Sequence, residues 1–116
     1  MLNSERIKCS RIFDKENLKI INFCNIKLSK DPKNKKALFL RASIYIKNEL
    51  FEEAEIDLKN LLKFKEKDLN STVYYFLAKI YQQKNNIKTA MVYYLILYPK
   101  ILLIYLYYMN IIHFLD

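Results

Sequence analysis

Residues 38–61 read LFLRASIYIKNELFEEAEIDLKNL, and residues 74–97 read YYFLAKIYQQKNNIKTAMVYYLIL. At an offset of 36 residues, the two stretches share the spacing Ala-x-x-Tyr followed by a second alanine. The pairs that are identical at this offset are Asn34 and Asn70, Ala42 and Ala78, Ile44 and Ile80, Tyr45 and Tyr81, Ala54 and Ala90, and Leu61 and Leu97. A fixed period of this length is typical of helical repeat arrays. Such arrays bind other molecules and seldom catalyse reactions, so the period predicts a binding function.

The composition favours helices throughout the chain. The 116 residues include no Gly and only two Pro, and 53% of them are hydrophobic. Sandwiches, barrels and phosphate-binding loops need glycine at special backbone angles, whereas long helices do not. The sequence therefore predicts an all-α protein with enough apolar residues to bury a core.

The repeated alanines have a mechanical role in this interpretation. Two helices that cross at about 8–10 Å need small side chains where they approach most closely. We expect Ala42 to face Ala54 across one helical hairpin and Ala78 to face Ala90 across the other. The repeated residues are then structural, and binding falls to positions that differ between the copies.

Asparagine and proline mark the expected ends of the helices. Asn34 and Asn70 precede the first helix of each copy, where a side-chain oxygen can accept hydrogen bonds from free backbone amides. Asp31-Pro32 is expected to end the helix before them. Turns are predicted at 47–50 and 84–86, the second of which contains asparagines that tolerate the left-handed conformation.

This pattern resembles the tetratricopeptide repeat (TPR) family, which has a bulky residue, a small one, Tyr, an aromatic residue at the turn, Ala, and then an aromatic residue or Leu. The first copy matches it with Leu38, Ala42, Tyr45, Phe51, Ala54, Leu58 and Leu61, and the second with Tyr74, Leu77, Ala78, Tyr81, Ile87, Ala90, Tyr94 and Leu97. Glu49 and Asn85 replace the turn glycine of the family. The resemblance implies antiparallel helix-turn-helix repeats stacked as a short right-handed superhelix.

Two full repeats and a partial one are expected. The expected segments are 1–33, a degenerate N-terminal repeat; 34–69, the first repeat; 70–98, a truncated second repeat; and 99–116, an apolar C-terminal helix. In the degenerate repeat, Glu16–Lys30 resembles a second helix, with Ile20, Cys24 and Leu28 on one face. Its first helix is expected within Leu2–Phe13.

The resemblance also implies where a partner binds, because TPR arrays present the first helix of each repeat to a concave groove. The groove positions are Lys36, Phe39, Leu40, Ser43 and Lys47 in the first repeat, and Thr72, Tyr75, Phe76, Lys79 and Gln83 in the second. Chaperone-binding members hold a peptide's terminal carboxylate with Lys, Asn and Arg. Leu40 and Phe76 stand where such members carry an asparagine, which argues against this mode of capture despite Arg41. An apolar groove with lysines at its rim favours an amphipathic helix or an acidic-hydrophobic peptide of a partner protein.

No catalytic, metal or cofactor site can be assembled from the sequence. Glu52, Glu53, Glu55 and Asp57 are expected to form the hydrated face of an amphipathic helix rather than an acid–base pair. His113 is the only histidine. Cys9 and Cys24 lack metal-binding or redox spacing, so they are expected to be reduced thiols of an intracellular, cytoplasmic protein. The sequence predicts a non-catalytic adaptor or scaffold without a cofactor.

The net charge of +8 leaves a second class of function open. Basic residues with interleaved aromatic residues bind RNA in some helical-repeat proteins. Lys, Asn, Ile, Tyr and Phe share A/T-rich codons, however, and a biased genome accounts for part of the lysine excess. The protein-binding adaptor is therefore the preferred hypothesis, and RNA binding is the alternative.

The tail after Pro99 reads KILLIYLYYMNIIHFLD, and three interpretations of it stay open. In the first interpretation the tail is a membrane anchor, although Ile101–Leu115 is shorter than the roughly 20 residues of a spanning helix. Alternatively, it is buried in a partner or in the protein's own groove. In the third interpretation it is translated A/T-rich intron sequence rather than a native terminus.

Overall fold

The computed structural model describes the backbone of residues 13–115 and the side chains of residues 13–110. Six helices and no strands are present in this part of the chain. Their bounds are α1 Lys15–Lys30, α2 Lys35–Lys47, α3 Phe51–Leu62, α4 Lys67–Gln83, α5 Ile87–Leu97 and α6 Pro99–Leu115. The all-α prediction is confirmed. The helix expected within Leu2–Phe13 lies outside the described residues, apart from Phe13 itself.

The helices form two compact units, and the boundary between them in the sequence lies between Glu66 and Lys67. In the first unit, α1 packs on α2 and α2 packs on α3. In the second unit, α4 packs on α5, and α5 contacts α6. Each full repeat is thus an antiparallel pair of helices, α2 with α3 and α4 with α5.

All four repeated alanines are buried. Ala42 and Ala54 lie in the core of the first unit, and Ala78 and Ala90 lie in the core of the second. Leucines take up much of the remaining buried volume, notably Leu58 in the first unit. Because an alanine on each helix permits close approach of the backbones, larger side chains are accommodated beside the contact rather than within it.

The turn between α2 and α3 ends the first helix with two overlapping hydrogen bonds. The backbone N–H of Leu50 donates to the carbonyl of Tyr45 at 2.8 Å, and that of Glu49 donates to the carbonyl of Ile46 at 3.0 Å. This is the Schellman arrangement, which places the residue after the helix in the left-handed region. Glu49 accordingly has φ 60°.

The turn between α4 and α5 has the same geometry. The N–H of Asn86 donates to Tyr81 at 2.8 Å, and that of Asn85 donates to Gln82 at 3.1 Å. Asn85 has φ 61°, in the left-handed region that glycine adopts most easily. Glutamate lacks asparagine's tolerance of this region, so Glu49 holds its conformation at a cost of backbone strain.

The two asparagines at the starts of the repeats behave differently. Asn34 caps α2, since its Oδ1 accepts from the N–H of Ala37 at 3.1 Å, as predicted. The prediction for Asn70 is wrong, because α4 begins at Lys67 and Asn70 lies inside it. The Oδ1 atom of Asn70 is buried without a hydrogen-bond partner in the structure. A repeated residue has therefore lost its repeated role.

The two repeats differ at the residue two positions before the asparagine. Pro32 stands between α1 and α2, where its missing N–H and its ring prevent α1 from continuing into α2. The residue at the same offset in the second repeat is Asp68, which lies in the first turn of α4, where an acidic side chain is favourable.

The helix α1 belongs to the core of the first unit. Ile21 is buried together with Phe13 and with Ile44 of α2, and the ring of Phe13 lies 6.2 Å from that of Tyr45. Cys24 is also buried. The sequence placed the buried face along Ile20, Cys24 and Leu28, whereas Ile20 and Leu28 are only half-buried. The buried face of α1 is therefore rotated from the predicted one toward Ile21.

The helix α6 differs from the others because its apolar side chains are exposed. The side chains from Leu103 to Met109 are all exposed, so this part of the tail is not buried against the rest of the second unit. No single helix among the described residues is long and apolar enough to cross a membrane. The segments Ile87–Leu97 and Pro99–Asn110 pass that test of length and composition only as a pair, and they are bent by 114° at their junction.

Replacing Glu49 with glycine should stabilise the protein by about 0.5–1 kcal/mol, because glycine removes the Cβ clash of the left-handed conformation. Asn85→Gly should give a smaller gain, since asparagine already tolerates this region. Urea denaturation followed by circular dichroism measures both effects. Glu49→Ala is the control, because it removes the charge but keeps the Cβ, and an equal gain from it would contradict the backbone explanation.

The two asparagines should also respond differently to alanine. Asn34→Ala should lower the free energy of unfolding by about 1 kcal/mol, because a helix cap is lost. Asn70→Ala should leave the stability unchanged or raise it, because a buried amide without a partner is removed and alanine favours the helix interior. Equal losses in urea denaturation would show that Asn70 acts as a cap in solution.

Candidate partner-binding surface

The first set of predicted binding residues lies along the helix α2. Lys36, Leu40 and Lys47 are exposed, while Phe39 and Ser43 are half-buried. The hydroxyl of Ser43 donates to the carbonyl of Phe39 at 2.9 Å, so it is occupied within its own helix. The exposed members therefore present one leucine between two lysines.

The second set lies along the helix α4. Thr72, Tyr75, Lys79 and Gln83 are exposed, and Phe76 is half-buried. The ammonium of Lys79 lies 5.6 Å from the ring centroid of Tyr75, at cation–π distance, and the rings of Tyr75 and Phe76 meet edge to face at 5.7 Å. Three of the five predicted residues in this unit thus form one contacting cluster.

The structure adds two residues of α1 that the sequence reasoning did not identify. Phe23 and Lys27 line a surface cavity of about 180 Å³ together with Lys36 and Leu40, and Asn34 and Ala37 complete the lining. Lys27 lies 5.4 Å from the Phe23 ring centroid. The signal in the sequence is an exposed aromatic residue four positions before a lysine, on the face of α1 opposite Ile21.

Arg41 lies on α2 but is held inside the protein rather than offered to a partner. Its guanidinium donates two hydrogen bonds to the carboxylate of Asp57 on α3, at 2.8 and 2.6 Å. A third bond reaches Asn25 of α1 at 2.8 Å. These bonds connect all three helices of the first unit, and they make Arg41 unsuitable as a clamp for a terminal carboxylate.

Asp57 corrects the expectation of an acidic, hydrated face on α3. Its side chain is 1% exposed, whereas that of Arg41 is 22% exposed. Glu53 and Glu55 are half-buried, and Glu52 is the one fully exposed member of the predicted cluster. The cluster is therefore divided between a buried ion pair and a partly covered surface.

The ion pair of Arg41 and Asp57 affects the pKa values of Arg41 itself and of the neighbouring Cys24. The hydrogen bonds to Asp57 raise the pKa of Arg41 above its ordinary value, despite partial desolvation. Burial raises the pKa of the Cys24 thiol; Asp57 adds to this effect and Arg41 opposes it. Cys24 is a free, buried cysteine that stays protonated and packs as an apolar residue, and Cys9 lies outside the described residues.

The second repeat fills the same positions with apolar residues. At the 36-residue offset, Leu77 corresponds to Arg41 and Tyr93 to Asp57. Leu77 is fully buried, and the ring of Tyr93 stacks at 6.0 Å from Tyr74 and 5.8 Å from Tyr81. An ion pair in one repeat is thus replaced by leucine and a tyrosine stack in the other.

In the described part of the chain, no group of three or more His, Cys, Asp and Glu side chains could hold a metal ion. The ring of His113 lies outside the described side chains. The exposed faces of α2 and α4 carry apolar side chains, lysine ammonium groups and hydroxyl groups, which can contact or hydrogen-bond a ligand.

Comparison with protein families identifies two tetratricopeptide repeats in the chain. The tetratricopeptide repeat model matches residues 35–68 and residues 71–95. A search of curated proteins and a search of solved structures found no match. The two matched ranges contain α2 with α3 and most of α4 with α5.

Removing Arg41 alone should destabilise the protein by about 3 kcal/mol, because Arg41→Met leaves the carboxylate of Asp57 buried and unpaired. The double variant Arg41→Met/Asp57→Leu should recover to within about 1 kcal/mol of the unchanged chain, since the second repeat folds with apolar residues at these positions. A double-mutant cycle in urea measures the coupling. A double variant no more stable than Arg41→Met would show that packing, rather than the unpaired charge, determines the loss.

Proposed function

Because the chain belongs to the tetratricopeptide repeat family, whose repeats mediate binding to other proteins, we propose that it is a non-catalytic adaptor that binds a peptide segment of a partner. Each repeat offers the outward face of its first helix, α2 or α4, as a contact surface for such a segment. The segment is an amphipathic helix or an extended peptide that carries apolar and acidic residues.

One observation carries this proposal: each first helix exposes an apolar side chain next to a lysine. Leu40 on α2 is 39% exposed and lines a cavity with Lys36, and Tyr75 on α4 is 39% exposed beneath Lys79. The apolar group can bury area against a partner, and the ammonium group can pair with a carboxylate beside it. The two repeats supply the same combination with different residues.

The charge distribution supports an acidic ligand rather than a terminal carboxylate. Lys27, Lys36 and Lys79 stand at the edges of the apolar groups, and they attract acidic side chains wherever these occur in a peptide. Clamping of a terminal carboxylate needs convergent donors. Arg41, the one arginine among the described residues, is bound to Asp57, and Leu40 and Phe76 replace the asparagine of chaperone-binding members.

Peptide selection from a displayed random library, with the full chain as bait, tests the proposal. The selected peptides should combine large apolar residues with Asp or Glu. Leu40→Lys and Tyr75→Lys should each weaken their binding by about tenfold or more, because an apolar contact is lost and a charge is introduced. Fluorescence anisotropy of labelled peptides measures the affinities.

Ile56→Lys is the matched control, because Ile56 is an exposed apolar residue on the second helix of the first repeat. It should bind the peptides as well as the unchanged chain does. Equal weakening by all three variants would contradict a surface restricted to the first helices. If the library yields no peptides and the chain binds RNA with a steep salt dependence, the RNA-binding alternative replaces this proposal.

A further inference from the structure

The helix α6 carries apolar side chains on every side. Among its exposed residues, Leu103 is 67% exposed and Tyr108 is 61% exposed, and Ile104, Tyr105 and Leu106 are also exposed. A helix turns by about 100° per residue, so these five side chains point around the whole circumference. The described part of α6 therefore has no polar face after Lys100.

This distribution decides which kind of surroundings fits the helix. A groove in one protein partner covers a stripe of a helix, and the remaining apolar side would stay in water. A helix that lies flat at a membrane surface needs a polar face as well as an apolar one. Lipid hydrocarbon surrounds a helix on all sides, and it matches a helix that is apolar all round.

The helix α5, unlike α6, is packed within the second unit and is not available to lipid on all sides. Tyr93 of α5 stacks on Tyr74 and Tyr81 of α4, and the hydroxyl of Tyr94 donates a hydrogen bond to Oε1 of Gln82 at 3.1 Å. These contacts keep α5 in the repeat. The chain then bends by 114° at Tyr98, so α6 does not continue the direction of α5.

The charges on the second unit suit an anionic membrane surface. Lys84 and Lys88 flank the turn into α5, and Lys100 stands in the first turn of α6. Asp68 is the one acidic residue between Lys67 and Leu115. Lys84 and Lys88 lie at the end of α5 that is farther from α6, so Lys100 is the basic residue that adjoins the inserted segment. Its ammonium group is attracted to anionic headgroups, and its side chain can extend from the helix end to the headgroup level.

We propose that α6 inserts into the hydrocarbon region of an anionic lipid bilayer, with Lys100 at the headgroup level, and attaches the repeats to the membrane. The helix Pro99–Leu115 is about 25 Å long, which is less than the roughly 30 Å of a hydrocarbon core. Insertion requires only that its side chains enter the acyl chains, whether or not the helix reaches the opposite surface. The proposal is independent of peptide binding by the repeats.

The absence of tryptophan from the chain gives a direct measurement of depth. In a Leu106→Trp variant of the full chain, the single tryptophan reports the surroundings of α6. With vesicles of phosphatidylcholine and phosphatidylserine, its emission should shift to shorter wavelength and be quenched by lipids brominated deep in the acyl chains. Ile56→Trp, at an exposed position of α3, is the matched reporter, and its emission should change little.

Flotation of the full chain with the same vesicles gives the second measurement. The unchanged chain should float with the vesicles, and Leu106→Lys should lower its partitioning on the order of 100-fold, because a charge enters the hydrocarbon. Ile56→Lys should float like the unchanged chain. Since Leu106 is exposed, its substitution leaves the packed repeats intact.

Three results would overturn the proposal. The first is an unchanged chain that stays at the bottom of the gradient. The second is undiminished flotation of Leu106→Lys. The third is a tryptophan at position 106 whose emission shifts without vesicles while the chain elutes as a dimer, because a second copy would then cover α6.

Discussion

Close contact between paired helices at alanine is the constraint on which both repeats depend. Ala42 and Ala54 are buried in one pair, and Ala78 and Ala90 are buried in the other. An alanine on each helix lets the two backbones approach, and this approach determines which neighbouring positions are buried. The repeated residues are thereby committed to the core. Positions at which the two copies differ are not subject to this constraint.

The contact at alanine does not determine whether polar or apolar side chains pack beside it. The first repeat fills the volume beside the contact with Arg41 and Asp57, and the second fills the corresponding positions with Leu77 and Tyr93. An ion pair of this kind contributes little net stability when an apolar pair can replace it. Its other consequence is a bond to Asn25, which attaches α1 to the first repeat.

The sequence was sufficient for features that depend on neighbouring residues. The left-handed turn at Asn85 and the cap at Asn34 both follow from local rules, and both are confirmed. Asp57 could not be placed from its own helix, because its partner lies 16 residues away on another helix. Comparison of the two copies could have indicated that Asp57 is buried, since the corresponding residue in the second copy is the aromatic Tyr93. The surface around Phe23 needed the packing of α1 on α2.

Two kinds of exposed apolar surface follow from this architecture, and they differ in selectivity. Leu40 and Tyr75 each stand beside a lysine, so a ligand gains from matching both an apolar group and a charge. From Ile101 to Met109 the helix α6 has no charged side chain, so its contacts depend on apolar area alone. Apolar area alone does not distinguish one ligand from another, whereas an apolar group beside a charge favours a ligand that matches both.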